Sequence, residues 1–427
     1  MPTDLHARRL TGAAGVHYAA LAVSFVVILW IGRDQWFFGD DWAILVPRND
    51  GAIMVPHVGH WNLVPAVVFP LVRNWLGLGS YLPFLALAVL VHLLVAHLVW
   101  RILRRTGTND WVAAGLSVFV MLLGAASENL LWAFQFGFMG AIALGLAVVL
   151  LLDRPRLAVA TVVAIVGCSL LAPMFSGTAI PVLAAAAVVG WIRHGFLRTA
   201  ALLAPAALTY LLWFFLVARN YPTPHAGIAS LTDLGMVMLF AAAMYAGGLG
   251  RAFPFIAIGV IPAAIAGVWF FATIRKGIRT AAAPAYALVI GSVVFALLTA
   301  YSRSTFGLSV AASERYAYVT IVLLVPAFGL LLTKLARRGR PYFVSAMVFL
   351  ALLAGFNAFL LVPDAGAQAS REAASQVRIE DALARVIQNP TDPSLLASVP
   401  DPQWAPDVTG SDLLELYRSG QLAPAHR

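Results

Sequence analysis

The chain has 427 residues, of which 61% are apolar and only 11% are charged, and its mean hydropathy is +0.86. Soluble domains carry about 25% charged residues, so this composition excludes an ordinary soluble protein. The formal net charge of +9 does not indicate a nucleic-acid-binding protein, because the basic residues separate apolar segments instead of clustering in a polar domain.

Eleven apolar segments have the length and composition of membrane helices, and they predict an all-α polytopic transmembrane bundle. In chain order they cover approximately 13–32, 81–100, 111–127, 135–152, 157–175, 178–192, 199–217, 253–274, 281–301, 316–333 and 342–362. The first is too long for the apolar core of a signal peptide and no small-residue cleavage site follows it, so we expect it to be retained. A further apolar segment, 234–249, fits either a twelfth span or a helix lying along the membrane surface.

The basic residues predict the orientation, because Lys and Arg accumulate in short cytoplasmic loops. If 234–249 does not span, sixteen basic residues face one side: Arg8, Arg9, Arg101, Arg104, Arg105, Arg154, Arg156, Arg193, Arg198, Arg275, Lys276, Arg279, Lys334, Arg337, Arg338 and Arg340. The other side then has seven: Arg33, Arg48, Arg73, Arg219, Arg251, Arg303 and Arg315. We therefore expect 234–249 not to span, and we predict a protein of the plasma (inner) membrane with a cytoplasmic amino terminus and an external carboxyl terminus.

Two regions outside the spans are predicted to have structure of their own. The first external loop, 33–80, is the longest between spans, and its apolar stretches near 61–72 and 75–78 are expected to lie as helices along the membrane surface. The segment 365–388 is expected to be helical, whereas the prolines that follow favour extended structure. We therefore divide the chain into a transmembrane domain, 1–363, and a small external tail, 364–427.

An acidic pair, Asp40 and Asp41, follows the first span directly, in the sequence Trp-Phe-Phe-Gly-Asp-Asp-Trp of residues 36–42. A charge beside a bilayer is costly, because it resists leaving water. One interpretation is a solvated or capping role at a helix end. The other is a general base, or a pair of ligands for a divalent cation.

This layout resembles the GT-C superfamily of membrane glycosyltransferases over roughly residues 1–363, and the stretch 39–42, Gly-Asp-Asp-Trp, is similar to the acidic motif of their first external loop. The resemblance implies an enzyme that takes a sugar from a polyprenyl-phosphate donor, with inversion, and transfers it to a glycan, lipid or protein acceptor of the bacterial cell envelope. It also implies that Asp40 is the base, with Asp41 as the second choice. The tail is far smaller than the external domains of the arabinosyl- and oligosaccharyl-transferring members.

Histidines and amide-bearing residues of the same loop are candidates for substrate binding. His57 and His60 are three residues apart, so they share a face if the segment is helical. They are interpreted either as ligands of donor phosphate, sugar or metal, or as interfacial histidines bonded to water. Trp61 and Asn62 suit sugar recognition, because aromatic faces stack on sugars and amides bind hydroxyls.

Three further candidates lie at the ends of later spans. Glu128 is expected either to line the site or to pair with an arginine of the bundle. Arg303 and Arg315 are expected to hold the lipid phosphate, with interfacial snorkelling or an ion pair with Glu314 as the alternatives. The stretch 313–318, which contains Arg315 and Tyr316, resembles an arginine-tyrosine segment of the superfamily.

No sequence motif requires a cofactor, although Asp40, Asp41 and His60 are candidate ligands for a divalent cation such as Mg²⁺ or Mn²⁺. The chain has no P-loop, Rossmann glycine signature or HExxH motif, so we expect an already activated donor rather than a nucleotide. Two alternatives remain open: a transporter or lipid flippase, and a non-catalytic envelope assembly protein. The bilayer is a partner in every case.

Overall fold

The computed structural model describes residues 12–46, 52–221, 228 and 230–423. The predicted charges of Arg8, Arg9 and Arg48 lie outside these residues. Within them the regular structure is helical and contains no β-strand. The α-helices are α1 (Gly12–Ile31), α2 (Asp40–Leu45), α3 (Leu63–Leu76), α4 (Leu82–Arg105), α5 (Asp110–Met121), α6 (Ser127–Leu131), α7 (Phe136–Leu152), α8 (Val159–Phe175), α9 (Ala179–His194), α10 (Phe196–Leu216), α11 (Leu231–Arg251), α12 (Ile256–Gly277), α13 (Ala283–Arg303), α14 (Glu314–Ala336), α15 (Arg340–Gln388), α16 (Pro393–Ala397) and α17 (Gly410–Arg418).

The all-α transmembrane prediction is confirmed, since helices occupy all eleven predicted positions. Among the described residues, eight helices are long and apolar enough to cross a membrane. The count is nine if the segments Asp110–Met121 and Gly124–Leu131, which meet at an angle of 41°, form one bent span. This set differs from the predicted eleven in four respects: α8 and α9 have only 17 and 16 residues, α12 is not counted, and α11, which was expected not to span, is counted.

Helix α11 covers the segment 234–249, which was expected not to span. It has 21 residues, enough length and apolarity to cross a membrane, and it packs against α12, α13 and α14. The loops that follow α11 nevertheless lie at the end of the bundle predicted for them from the basic residues. Arg193, which precedes α10, donates a hydrogen bond to the carbonyl of Thr280, which follows α12, over 2.8 Å. The basic clusters 193–198 and 275–279 therefore lie at the same end of the bundle.

The end of the bundle with these clusters is held together by ion pairs. Asp153 accepts hydrogen bonds from Arg105 over 2.7 Å and from Arg193 over 3.0 Å. Because its carboxylate is buried, the two guanidiniums offset the cost of removing it from water. The loops after α4, α7, α9 and α12 thus meet on one face, and Asp40 lies on the opposite face.

The first external loop contains two helices, α2 and α3, instead of the arrangement predicted for 61–72 and 75–78. Those two stretches form the single helix α3, which ends at Gly77 with φ of 69°. Positive φ is readily adopted only by glycine, so this residue fixes where the helix stops. The loop then returns to α4 within a few residues.

The expected helix over 365–388 is present, but it continues the last span without interruption. Helix α15 has 49 residues and includes Pro363, so the boundary drawn between 363 and 364 lies inside one helix. At about 1.5 Å per residue it is more than twice as long as the hydrocarbon core of a bilayer is thick. Its second half therefore projects from the end of the bundle that carries Asp40, where α16 and α17 fold back against it.

Candidate active site

A cavity of about 250 Å³ opens at the end of the bundle that carries Asp40. Six of the ten residues singled out in the sequence line it: Asp40, His57, His60, Arg303, Arg315 and Tyr316. They come from α2, the first external loop, the end of α13 and the first turn of α14. Residues separated by more than 270 positions are thus brought around one space.

Asp40 and His57 form a hydrogen-bonded pair in this cavity. Nε2 of His57 lies 2.8 Å from Oδ1 of Asp40, and both side chains are partly exposed to the cavity. An ionised carboxylate only accepts hydrogen bonds, so the imidazole nitrogen is the donor. This arrangement orients the carboxylate and leaves Oδ2 for another partner, as a general base requires.

The segment of His57 and His60 is a tight turn and not a helix, contrary to the condition under which the two were expected to share a face. The amide of each donates to the carbonyl of the other, over 3.0 and 2.9 Å. The intervening Val58 and Gly59 have φ of 49° and 82°. Two consecutive positive φ values are the signature of a type I′ hairpin turn. A β-branched residue is strained there, which is common at functional sites.

His60 is held neutral at the wall of the cavity. Burial lowers the pKa of its ring to about 4, and the positive charge of Arg303 lowers it further. Its ring packs against Phe138 and lies so close to Gly177 that a Cβ there would come 2.8 Å from Nδ1. At neutral pH the ring therefore acts as a hydrogen-bonding group and adds no charge.

The two predicted arginines face the same cavity from different helices. Arg303 donates to the carbonyl of Val58 over 3.0 Å, which ties the end of α13 to the histidine turn. Nε of Arg315 lies 3.3 Å from Glu128, and its guanidinium lies over the ring of Trp132. Tyr316 is almost buried beside them. Two guanidiniums at one cavity are suited to an anion, since each offers several donors in a plane.

Asp41 does not reach the cavity, in contrast to the role considered for it. It is fully buried, and Tyr81 donates its hydroxyl hydrogen to Oδ2 over 3.0 Å. Burial raises the pKa of Asp41 to about 8, with its hydrogen bonds opposing that shift. The Tyr81 oxygen in turn accepts the amide hydrogen of Ala133 over 2.7 Å. Asp41 therefore joins the first external loop to the core.

Because Asp41 turns inward, the three candidate cation ligands do not converge. Asp40 and His60 line the cavity, while the Asp41 carboxylate is enclosed with Tyr81. Among the residues that the structure describes, no group of three or more His, Cys, Asp or Glu side chains has an arrangement suited to a metal ion. The predicted divalent cation stays a prediction.

Trp61 and Asn62 also lie away from the cavity. The ring of Trp61 stacks in parallel on Trp213, with centroids 5.1 Å apart, and the side chain is only 3% exposed. Asn62 is buried at the start of α3. Both side chains are therefore packed inside the protein, and neither presents a surface to a sugar.

Glu128 belongs to a second, polar cavity that adjoins the first. It lines that cavity while its carboxylate pairs with Arg315, so both interpretations considered for it hold in part. The ion pair of Glu128 and Arg315 lies between the first cavity and this second cavity.

A groove of about 370 Å³ leads away from the first cavity on its other side. It shares His60 and Arg303 with the cavity and continues along Tyr210, Phe214 and Leu298 of α10 and α13. Phe214 and Leu298 are more than 40% exposed on the apolar surface of the bundle. The groove thus joins Arg303 to the apolar outer surface of the bundle.

The aromatic walls of the site could not be identified from the sequence. Phe134, Phe138, Phe295 and Phe306 line the cavity, yet each lies in or beside an apolar segment where phenylalanine is common. The cavity residues identified from the sequence are acidic, basic or imidazole side chains, together with Tyr316.

Comparisons with known proteins leave the function to this geometry. No protein-family model matches the chain, and no curated protein matches it. Among solved structures, it is similar to the crystal structure of ArnT from Cupriavidus metallidurans bound to undecaprenyl phosphate, with 18% sequence identity and a TM-score of 0.48 over 96% of this chain and 76% of that chain. A match this distant assigns neither a family, nor a substrate, nor a residue role to this chain.

Proposed function

We propose that the protein is a membrane glycosyltransferase that moves a sugar from a polyprenyl-phosphate donor to a hydroxyl group of a cell-envelope acceptor, on the external face of the plasma membrane. One observation carries the proposal: a carboxylate paired with an imidazole and two guanidiniums surround one cavity, from which a groove runs to the lipid-facing surface. Base, phosphate clamp and lipid groove are the parts that such a transfer needs.

Asp40 is the general base of the proposed reaction. Its carboxylate takes the proton of the acceptor hydroxyl while the hydroxyl oxygen attacks the anomeric carbon of the donor sugar. The bond between that carbon and the phosphate oxygen breaks, and its electron pair leaves with the polyprenyl phosphate. Attack from the side opposite the leaving group inverts the anomeric centre. His57 holds the carboxylate in position through the hydrogen bond of 2.8 Å.

Arg303 and Arg315 bind the donor phosphate and stabilise the negative charge that grows on it as the sugar leaves. A fixed cation at the point where charge develops is an effective form of catalysis, because no reorganisation is needed during the reaction. The neutral ring of His60 adds a hydrogen bond at the same wall. The isoprenoid chain of the donor extends along the groove past Phe214 and Leu298.

The test compares two neighbouring carboxylates. The purified protein, with a labelled polyprenyl-phosphate sugar and envelope acceptors, is assayed as wild type, Asp40→Asn and Asp41→Asn. Loss of a general base lowers turnover by about 10²- to 10⁴-fold, so that is the effect expected for Asp40→Asn. Asp41→Asn is the matched control, because Asp41 is enclosed in the core and does not touch the cavity. Undiminished turnover in Asp40→Asn would remove the base from the proposal.

A further inference from the structure

An apolar groove of about 320 Å³ runs along α14, between α12 and α15, and shares no lining residue with the donor cavity. Its lining includes Ile321 and Val325 of α14, which are buried. It also includes Ile265 of α12 and Phe349 of α15, which are 57% and 41% exposed. The groove therefore opens sideways onto the apolar outer surface of the bundle, and in a bilayer such an opening faces lipid chains and not water.

One end of this groove is closed by contacts between the end of α11 and α15. Ala252 and Phe253 line the groove there. The ring of Phe253 stacks on Phe349, with centroids 6.3 Å apart, and Asn357 donates a hydrogen bond to the carbonyl of Ala252 over 3.1 Å. From this end the lining follows α14 for about 21 Å, as far as Leu335. Since one leaflet contributes about 15 Å of hydrocarbon, the groove is long enough for an acyl chain.

The other end of the groove reaches the basic face of the bundle, opposite the donor cavity. Leu335 lines the groove in the last turn of α14, where Lys334 precedes it and Arg338 follows three residues later. Both basic side chains are exposed. The hydroxyl oxygen of Thr333 accepts the amide hydrogen of Asn109 over 3.0 Å, which fixes this end of α14 against the start of α5. Apolar lining and basic residues thus meet within one helical turn.

The charge at this part of the basic face is not balanced by acidic residues. Elsewhere on the face, Asp110 pairs with Arg104, and Asp153 pairs with two arginines. By contrast, the sequence contains no Asp or Glu over 252–313 or over 316–363. Seven exposed basic residues lie at the ends of α12 and α14 and the start of α15: Arg275, Lys276, Arg279, Lys334, Arg337, Arg338 and Arg340. Within the part of the chain that the structure describes, none of the seven forms an ion pair. An anionic group would balance this charge.

We infer that the groove binds an anionic phospholipid, with one acyl chain along α14 and the phosphate beside Lys334 and Arg338. A basic pocket between membrane helices is typical of sites for anionic headgroups. Lys276 extends the pocket to α12, because it follows Ile265 by about three helical turns and so lies on the same face of that helix. A zwitterionic headgroup brings its own cation and leaves the basic residues unbalanced. The site is separate from the donor cavity and does not depend on the proposed reaction.

The experiment counts bound lipid and does not require turnover. The full-length protein, delipidated in nonionic detergent, is titrated with phosphatidylglycerol, with phosphatidylcholine of the same chains and with water-soluble glycerol phosphate, and native mass spectrometry measures the bound fraction. Lys334→Gln/Arg338→Gln removes two charges at the groove. The matched control, Arg156→Gln/Arg198→Gln, removes two exposed charges from the same face, beside α7 and α10, which do not line the groove.

A second pair of variants tests the chain-binding part of the site. Leu332→Trp fills the groove, because Leu332 is part of its lining. Leu352→Trp is the matched control, since Leu352 is 69% exposed on α15 and does not line the groove. Near-ultraviolet circular dichroism shows whether each variant keeps the native fold. The exposed charges can be removed without disturbing the core, so the charge comparison decides the headgroup assignment even if Leu332→Trp does not fold.

We expect the wild type to bind phosphatidylglycerol at least about tenfold more tightly than phosphatidylcholine, and Lys334→Gln/Arg338→Gln to remove that preference. Folded Leu332→Trp should lose about tenfold of its affinity for both lipids, and both control variants should match the wild type. Glycerol phosphate should not saturate any variant, because it has no chain for the groove. Equal affinity of the wild type for the two lipids, equal losses in the two charge variants, unchanged binding in folded Leu332→Trp, or saturable binding of glycerol phosphate would overturn the inference.

Discussion

The hydrogen bond between Asp40 and His57 allows the most direct test of Asp40 as the proposed base. His57→Phe removes the donor but keeps an aromatic ring, which preserves the edge contact with Phe134. A hydrogen bond to a charged group contributes about 1.5–3 kcal/mol. Because the side chains of Asp40 and His57 are 26% and 19% exposed, solvent weakens the bond and we take the lower part, about 1.5–2 kcal/mol.

At about 1.4 kcal/mol for each factor of ten in rate, this energy predicts a loss of about 10- to 30-fold in turnover for His57→Phe. His57→Gln places an amide N–H at a reach similar to that of Nε2 and should recover most of the rate. The assay follows consumption of labelled polyprenyl-phosphate sugar in single turnovers, so that product release does not mask the chemical step. Wild-type turnover in His57→Phe, or no recovery in His57→Gln, would refute the assignment of His57 as the positioning residue.

Three further predictions concern the protonation of Asp41, the close contact between Gly177 and His60, and the divalent cation. Burial raises the pKa of Asp41 from its ordinary value of 3.8 to about 8, so the folded state retains a proton that the unfolded chain releases; stability should fall as pH rises through this interval. Asp41→Asn should flatten that fall in thermal denaturation at pH 5 and pH 9. A Cβ at Gly177 would come 2.8 Å from His60 Nδ1, so Gly177→Ala should lower kcat/KM, whereas Gly167→Ala, whose Cβ meets nothing within 4 Å, should not. If a divalent cation assists the transfer, EDTA should abolish turnover and Mn²⁺ restore it; turnover indifferent to EDTA would contradict that role.

Helix positions were predictable because membrane insertion imposes a local rule, a continuous apolar run of about 20 residues, that can be read without knowledge of the fold. What the rule does not determine is where helices continue or bend. The boundary drawn between residues 363 and 364 lies inside α15, which passes through Pro363 although a proline there removes one hydrogen bond and crowds the preceding turn. The length of α11 was likewise hidden by its polar first turn.

Site residues could be predicted where a charged side chain occurs among apolar neighbours. Asp40, Arg303 and Arg315 were found in this way, and the cavity brings them together. The direction in which a side chain points was not predictable. Asp41 follows Asp40 at the start of a helix, where successive side chains diverge by about 100°, so one carboxylate faces the cavity and the other faces Tyr81.

The segment after residue 363, expected to be a small external appendage, is instead bonded to the loop that carries the proposed base. The amide of Gly39, next to Asp40, donates to the carbonyl of Trp404 over 2.5 Å, and the amide of Trp36 donates to Glu372 over 2.7 Å. Catalytic side chains function only when the surrounding structure fixes their position. About sixty residues are too few for a large core of their own, so they gain stability by docking on that loop. In doing so they fix the backbone from which Asp40 projects, and the tail is therefore part of the scaffold of the site.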